Sequence, residues 1–129
     1  MESRSLREIC KDIEEDRRIT SEQISRLREL FGSRFDNALQ IVEQNKVKLC
    51  VFDPSGRRVW IVAGKSQDYQ ILPRAEFCAC NDYYFRVIGG KAPLCYHLIA
   101  QKLAEALGKF DLIRESDEKY EILVKRWRS

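Results

Sequence analysis

The 129-residue chain contains one histidine, three prolines, six glycines and no apolar run near the roughly 20 residues that a membrane span requires. With 44% hydrophobic and 33% charged residues, and so little Pro and Gly, it is neither a disordered tail nor a fibrous polymer. It lacks internal repeats, a low-complexity linker and a G-x-x-x-x-G-K-[ST] phosphate loop, which excludes a P-loop nucleotide hydrolase. The start, MESRSLREICKDIEEDRR, alternates charges and has no apolar stretch of an export signal. An intracellular, reducing location follows, nuclear in a eukaryote and cytoplasmic in an archaeon or bacterium, with no membrane partner.

What the chain does have is five cysteines, an odd number at scattered spacing that makes a poor disulfide framework. Its formal net charge is +3, unevenly spread. Residues 46–102 hold nine Lys and Arg against four Asp and Glu, whereas residues 103–118 hold two against five. The basic middle and the basic tail are the parts suited to a polyanion.

The apolar period divides the chain. Leu6, Ile9, Cys10 and Ile13 form the stripe of a first amphipathic helix ending near Arg18. Thr20 and Gln23 have capping-box spacing with Ile19 and Ile24 as a hydrophobic staple, so a second helix starts there and ends at Gly32. Ser33 is placed to cap a third, bearing Phe35, Ala38, Leu39 and Val42 and closed by Asn45. Val47, Leu49 and Val51 then alternate with Lys46, Lys48 and Cys50. The turn Asp53-Pro54-Ser55-Gly56 and the strand at 57–63 complete a hairpin, and further strands extend an antiparallel meander to Cys80. Residues 95–107 read as a helix stopped by Gly108, and Tyr120, Leu123, Val124 and Trp127 mark a last one. The expected fold class is α+β in a single domain, 1–129: helical over 1–45, meander and finger over 46–108, a C-terminal amphipathic helix over 109–129.

Four of the six Cys and His residues fall into two pairs, Cys78-x-Cys80 and Cys95-x-His97, fourteen residues apart. Zinc takes a tetrahedron of thiolate and imidazole, and two ligand pairs from different elements supply four corners while closing the loop between them. A strand sends both sulfurs of C-x-C to one face, and a capping turn allows C-x-H to converge. Three thiolates with one Zn²⁺ leave a cluster charge of about −1. The competing reading is core packing, since Cys is among the most buried residues; it suits Cys10 and Cys50, far from the quartet in sequence.

C-x-C-x14-C-x-H, extended to Ala100 as C-x-H-x-x-A, resembles the SWIM-type zinc finger. Upstream, Leu30-Phe31-Gly32-Ser33, Ala38-Leu39 and Pro54-Ser55-Gly56-Arg57-Arg58-Val59 are similar to the region preceding the finger in the small SWIM proteins of the Shu complex. The resemblance covers about residues 27–107 and departs at Asn81-Asp82-Tyr83-Tyr84-Phe85, between the ligand pairs. It implies a zinc-bound ββα finger with one structural Zn²⁺ on Cys78, Cys80, Cys95 and His97. It also implies pairing with a RecA-like recombinase paralogue and support of recombinase assembly on single-stranded DNA in homologous recombination.

Four protein ligands leave zinc no open position for water, and the deaminase pattern H-x-E is absent because Leu98 and Ile99 follow His97. A non-catalytic binding module is therefore expected. For nucleic acid, the candidate cations are Arg57, Arg58, Lys65, Lys91, Lys125, Arg126 and Arg128, with Trp60, Tyr69, Tyr83, Tyr84 and Trp127 as stacking faces. The bland alternatives are a solvated helix end and core aromatics. For a protein partner, the stripes are Leu6, Ile9 and Ile13, or Tyr120, Leu123 and Trp127, unless both helices close over the sheet. DNA is held by this chain or through its complex. The runner-up function is a stand-alone nucleic-acid-binding zinc module with a regulatory role.

Overall fold

The helical period of the first third folds as three helices: α1 (Glu2–Asp16), α2 (Ser21–Phe31) and α3 (Ser33–Glu43). The computed structural model describes residues 2–64, 68–73, 77–78 and 95–128. The capping box at α2 forms as its spacing predicts: Thr20 Oγ1 accepts from the Gln23 amide at 3.1 Å, and Gln23 Oε1 accepts from the Thr20 amide at 2.8 Å. Ser33 does not cap α3, because Gly32 occupies that position at φ 62° and ψ −137° and joins the two helices directly. Asn45, in the left-handed region at φ 56°, turns the chain into the sheet.

The strands are β1 (Val47–Asp53), β2 (Arg57–Ala63), β3 (Asp68–Leu72), β4 (Phe77–Cys78) and β5 (Asp111–Ser116), in the order β4-β3-β2-β1-β5. The first four are the antiparallel meander. The fifth corrects the expected architecture: β5 lies parallel to β1, from Lys48 opposite Asp111 to Asp53 opposite Ser116, so the sheet is mixed. The segment 109–129 thus begins with a strand, and its helix, α5 (Tyr120–Arg128), starts only after a 3-10 turn at Asp117–Lys119. β5 is charged and largely exposed, and its partner is sixty residues away, so no local alternation announces it.

Alternation along the strands divides the apolar residues between two faces. Val47, Leu49, Trp60, Val62 and Ile71 face α1, α2, α3 and α4 (Tyr96–Leu107) and join one core with Leu27, Phe35, Val42, Leu98, Ile99 and Leu103. Cys50, Phe52, Val59 and Ile61 face the other way, beneath Val124 and Trp127 of α5. The α1 stripe proposed for a partner is spent inside the chain: Leu6, Ile9 and Ile13 are 0%, 7% and 0% exposed, and α1 packs on α4. The α5 stripe also turns inward, with Trp127 buried and Tyr120 and Leu123 half-buried against Phe52 and its neighbours. A short helix has to bury its apolar face somewhere, and here the sheet provides the place. Ile122 stays out on α5.

Two polar latches hold these layers. Arg17 ends α1 at φ 56° and donates from Nη1 to the carbonyls of Glu105 and Ala106, both at 3.3 Å, covering the open end of α4. On the other face, the Asp117 carboxylate accepts from the Ser55 amide at 2.9 Å and from Ser55 Oγ at 2.7 Å, tying the β1–β2 turn to the start of α5. The guanidinium of Arg57 lies 4.5 Å over the Tyr120 ring, and Phe52 meets that ring edge-on at 5.0 Å.

Candidate metal centre

The centre is built where α4 begins. Cys95 has extended backbone, φ −77° and ψ 157°, and takes the N-cap position; its Sγ accepts from the Leu98 amide at 3.4 Å. Sulfur caps weakly as a thiol and better as a thiolate, so a helix N-terminus suits a metal-ligating cysteine. His97, two residues into the helix, is only 5% exposed. Its ring lies between Tyr96, with centroids 4.1 Å apart, and Tyr69 of β3, 5.1 Å apart. Its Nδ1 is buried and has no hydrogen-bond partner among the described residues. A buried imidazole nitrogen left without a proton donor or acceptor is costly unless something else engages it.

The other pair approaches from the sheet edge. β4 lies next to β3 and near α4, and its register sets Cys78 opposite Ile71 and Phe77 opposite Leu72. Ile71 and Tyr69 lie on the helix-facing side of β3, so β4, β3 and the start of α4 meet at this corner. Cys80 lies outside the described residues, as does the rest of the connection to Cys95. Among the described residues no three Cys, His, Asp or Glu side chains converge; the structure places Cys95 and His97, half of the predicted quartet. The chemistry of that half fits zinc: a buried sulfur receiving an N–H bond and a buried nitrogen without a partner among the described residues, both at the fixed first turn of a helix whose other end Arg17 and Gly108 close.

Cys50 and Cys10 lie elsewhere, as the packing reading expects. Cys50 is buried under α5, and burial together with Glu115 raises its thiol pKa. Cys10 is half-buried against the main core and donates from Sγ to the Lys102 carbonyl at 3.7 Å; burial, the largest cause, pushes its thiol up to about 12.

Among the described residues, the nucleic-acid candidates do not all share one face of the sheet. Arg57 is opposite Phe52, on the α5 side, while Arg58 is opposite Val51, on the helix side. Lys125 and Arg126 are exposed on α5. Lys65, Lys91 and the side chain of Arg128 lie outside the described residues. Of the stacking candidates, Trp60 is buried against Phe110 with centroids 4.8 Å apart, Trp127 is buried under the sheet, and Tyr69 is packed on His97. None of these three is an open platform; each ring fills the interior that its strand or helix faces. Tyr83 and Tyr84 lie outside the described residues. Tyr96 was not anticipated as a flank of His97; its place inside C-x-H was the available signal.

Neither a family model nor a solved structure matches the chain. Named relatives do. The zinc finger SWIM domain-containing protein 7 of Homo sapiens is 33% identical over 115 residues, covering 88% of this chain and 81% of the relative. The homologue of that protein in Dictyostelium discoideum is 27% identical over 105 residues, covering 80% and 67%. An uncharacterised protein of Archaeoglobus fulgidus is 34% identical over 83 residues, 64% of each chain. A likeness of this identity and coverage, over a chain whose helix start presents a buried cysteine and histidine, shows that the chain belongs to the zinc finger SWIM domain-containing protein 7 family.

Proposed function

We propose that this chain is a non-catalytic zinc-binding adaptor that pairs with a RecA-like recombinase paralogue and supports recombinase assembly on single-stranded DNA during homologous recombination repair. The observation that carries the reading is membership of the SWIM protein family across most of the chain, together with the buried Cys95 and His97 at the head of α4. The proposed ligands are Cys78, Cys80, Cys95 and His97, holding one structural zinc. Bound there, zinc supplies four directed bonds that tie the β4 edge to α4 and leave no open position for hydrolysis.

Because the apolar stripes of α1 and α5 are packed within the chain, the partner surface is sought elsewhere: on the exposed Ile122 of α5 and the exposed Leu112 of the β5 edge. Exposed cations at Arg57, Arg58, Lys125 and Arg126 support DNA contact directly or within the complex. Purification of the tagged chain from its native host tests the reading. Recovery of a RecA-fold ATPase, with one zinc per chain by metal analysis, is the expected result. A chain that binds nucleic acid but recovers no such ATPase would be the stand-alone regulatory module instead.

A further inference from the structure

At the end of the sheet away from the Ser55 turn, a cavity of about 310 Å³ opens between α3, the β1–β2 end and the start of α4. Its lining has an unusual composition for this chain. Asn37 and Gln40 stand at i and i+3 on one face of α3, and Gln44, the residue that caps its C-terminal end, follows at i+7. All three are exposed. Lys46 and Tyr96 complete the rim, and His97 forms part of the wall. Among the described residues the lining includes no carboxylate, and Lys46 gives that lining a positive sign.

The exposed faces of α1 and α2 are built differently. The outward residues of α1 include Glu8, Lys11, Asp12, Glu14 and Glu15, and those of α2 include Glu22, Arg26 and Glu29. On α3, six consecutive residues between Asp36 and Glu43 carry no charge, and the outward ones are amides directed at a cavity. Asn and Gln side chains present a paired donor and acceptor, which matches the edge of a nucleobase. An aromatic ring offers a stacking surface and a lysine a phosphate contact. The volume is at the lower end of the roughly 300–1,000 Å³ of ligand cavities, which suits one base with its sugar.

We infer that this cavity is a nucleobase pocket that takes one unstacked base of a single strand, with the α3 amides on the base edge, Tyr96 at the ring and Lys46 on an adjacent phosphate. A base within a duplex cannot enter such a recess without leaving its stack, so single strands are preferred. A lone cation is a weak phosphate site, so the strand rather than a free nucleotide is the ligand. The inference rests on the reading of this chain as one that works at single-stranded DNA, and it assigns part of that contact to the chain itself.

The test uses the full chain with its metal and a labelled oligonucleotide of about 20 nucleotides, read by fluorescence anisotropy. The triple variant Asn37→Ala, Gln40→Ala, Gln44→Ala changes two exposed helix positions and the exposed C-cap, whose negative φ alanine adopts without strain, so circular dichroism and zinc content should match wild type. It should bind single strands about tenfold more weakly with the same salt slope, whereas Lys46→Ala should lower that slope by about one. Four results would overturn the pocket: no strand binding by wild type, unchanged affinity in the triple variant, equal affinity for duplex, or adenosine monophosphate binding as tightly as the strand. Capture of the RecA-fold partner is scored in parallel. Unchanged strand affinity with normal capture rejects the pocket and leaves the adaptor reading standing. Lost capture with unchanged strand affinity assigns the amide row to a protein segment and likewise rejects it.

Discussion

The two faces of the sheet are closed by different means. The face toward α1–α4 buries a large continuous cluster to which four helices contribute, including the fully buried Leu6, Ile13, Leu27, Phe35, Leu98 and Leu103. Among the described residues, the opposite face is closed by a single helix of nine residues over Cys50, Phe52, Val59 and Ile61. A helix that short is marginal by itself, so α5 depends on Trp127, on Tyr120 against Phe52 and on the Asp117 latch. The candidate metal corner belongs to the thick face, because α4, headed by Cys95, carries the largest share of that core. The difference teaches that stability and the candidate site are concentrated on one side, while the other side is a thin, separable cover.

The largest effect is expected at the metal corner. Cys95→Ser should lose zinc and unfold or aggregate, since a structural zinc contributes about as much free energy as a small domain's whole stability. Metal analysis and far-UV circular dichroism check this; zinc retained in a folded Cys95→Ser protein would refute the site.

The next pair tests the two faces against each other. Phe35→Ala, in the thick face, should cost about 3–5 kcal/mol and lower amide protection throughout the chain. Trp127→Ala should fall at the low end of that range and expose amides mainly of α5 and β5. Urea titration with hydrogen exchange separates them, and equal loss of protection on both faces would remove the distinction.

A smaller, pH-dependent effect concerns Cys10. With its thiol pKa at about 12 in the fold against an ordinary 9.0, the folded state holds the proton more tightly than the unfolded chain. The stability this contributes is complete below pH 9 and is lost as pH rises toward 12. Stability should therefore fall less steeply above pH 9 in Cys10→Ala than in wild type, as measured by denaturation at several pH values.

The smallest effect is at the latch: Asp117→Ala removes two exposed hydrogen bonds to Ser55 and should cost about 1 kcal/mol, read as faster exchange in α5 with α1–α4 unchanged.

Much of this was legible in the chain because it depends on near neighbours. Thr20 and Gln23 are three residues apart, so the capping box could be recognised before any fold was known. Gly108 follows the last apolar residue of α4 and adopts φ 72° as a helix stop requires. The alternation of Val47, Leu49 and Val51 marked β1 as a strand, and Val47 and Leu49 are buried in the helix-facing core. The position of Cys95 and His97 was equally legible: they lie at the head of α4, where the helical reading of residues 95–107 put them. The errors came from long-range partners. β5 pairs with β1 across the chain, and its own residues, Asp111, Arg114 and Glu115 among them, do not read as a strand. The α1 and α5 stripes looked available to another protein because an amphipathic period reports that a face is buried without reporting by what.

The sequence alone determined the capping box at Thr20 and Gln23, the helix stop at Gly108 and the hairpin turn at Asp53-Pro54-Ser55-Gly56. Each is set by residues close enough along the chain to bond one another. The tertiary structure decided the rest: that the sheet is mixed, that α1 and α5 close opposite faces, that Trp60 and Trp127 are interior, and that the amides of α3 line a recess beside His97. These depend on which apolar faces meet, and that choice is made by the whole chain minimising its exposed surface.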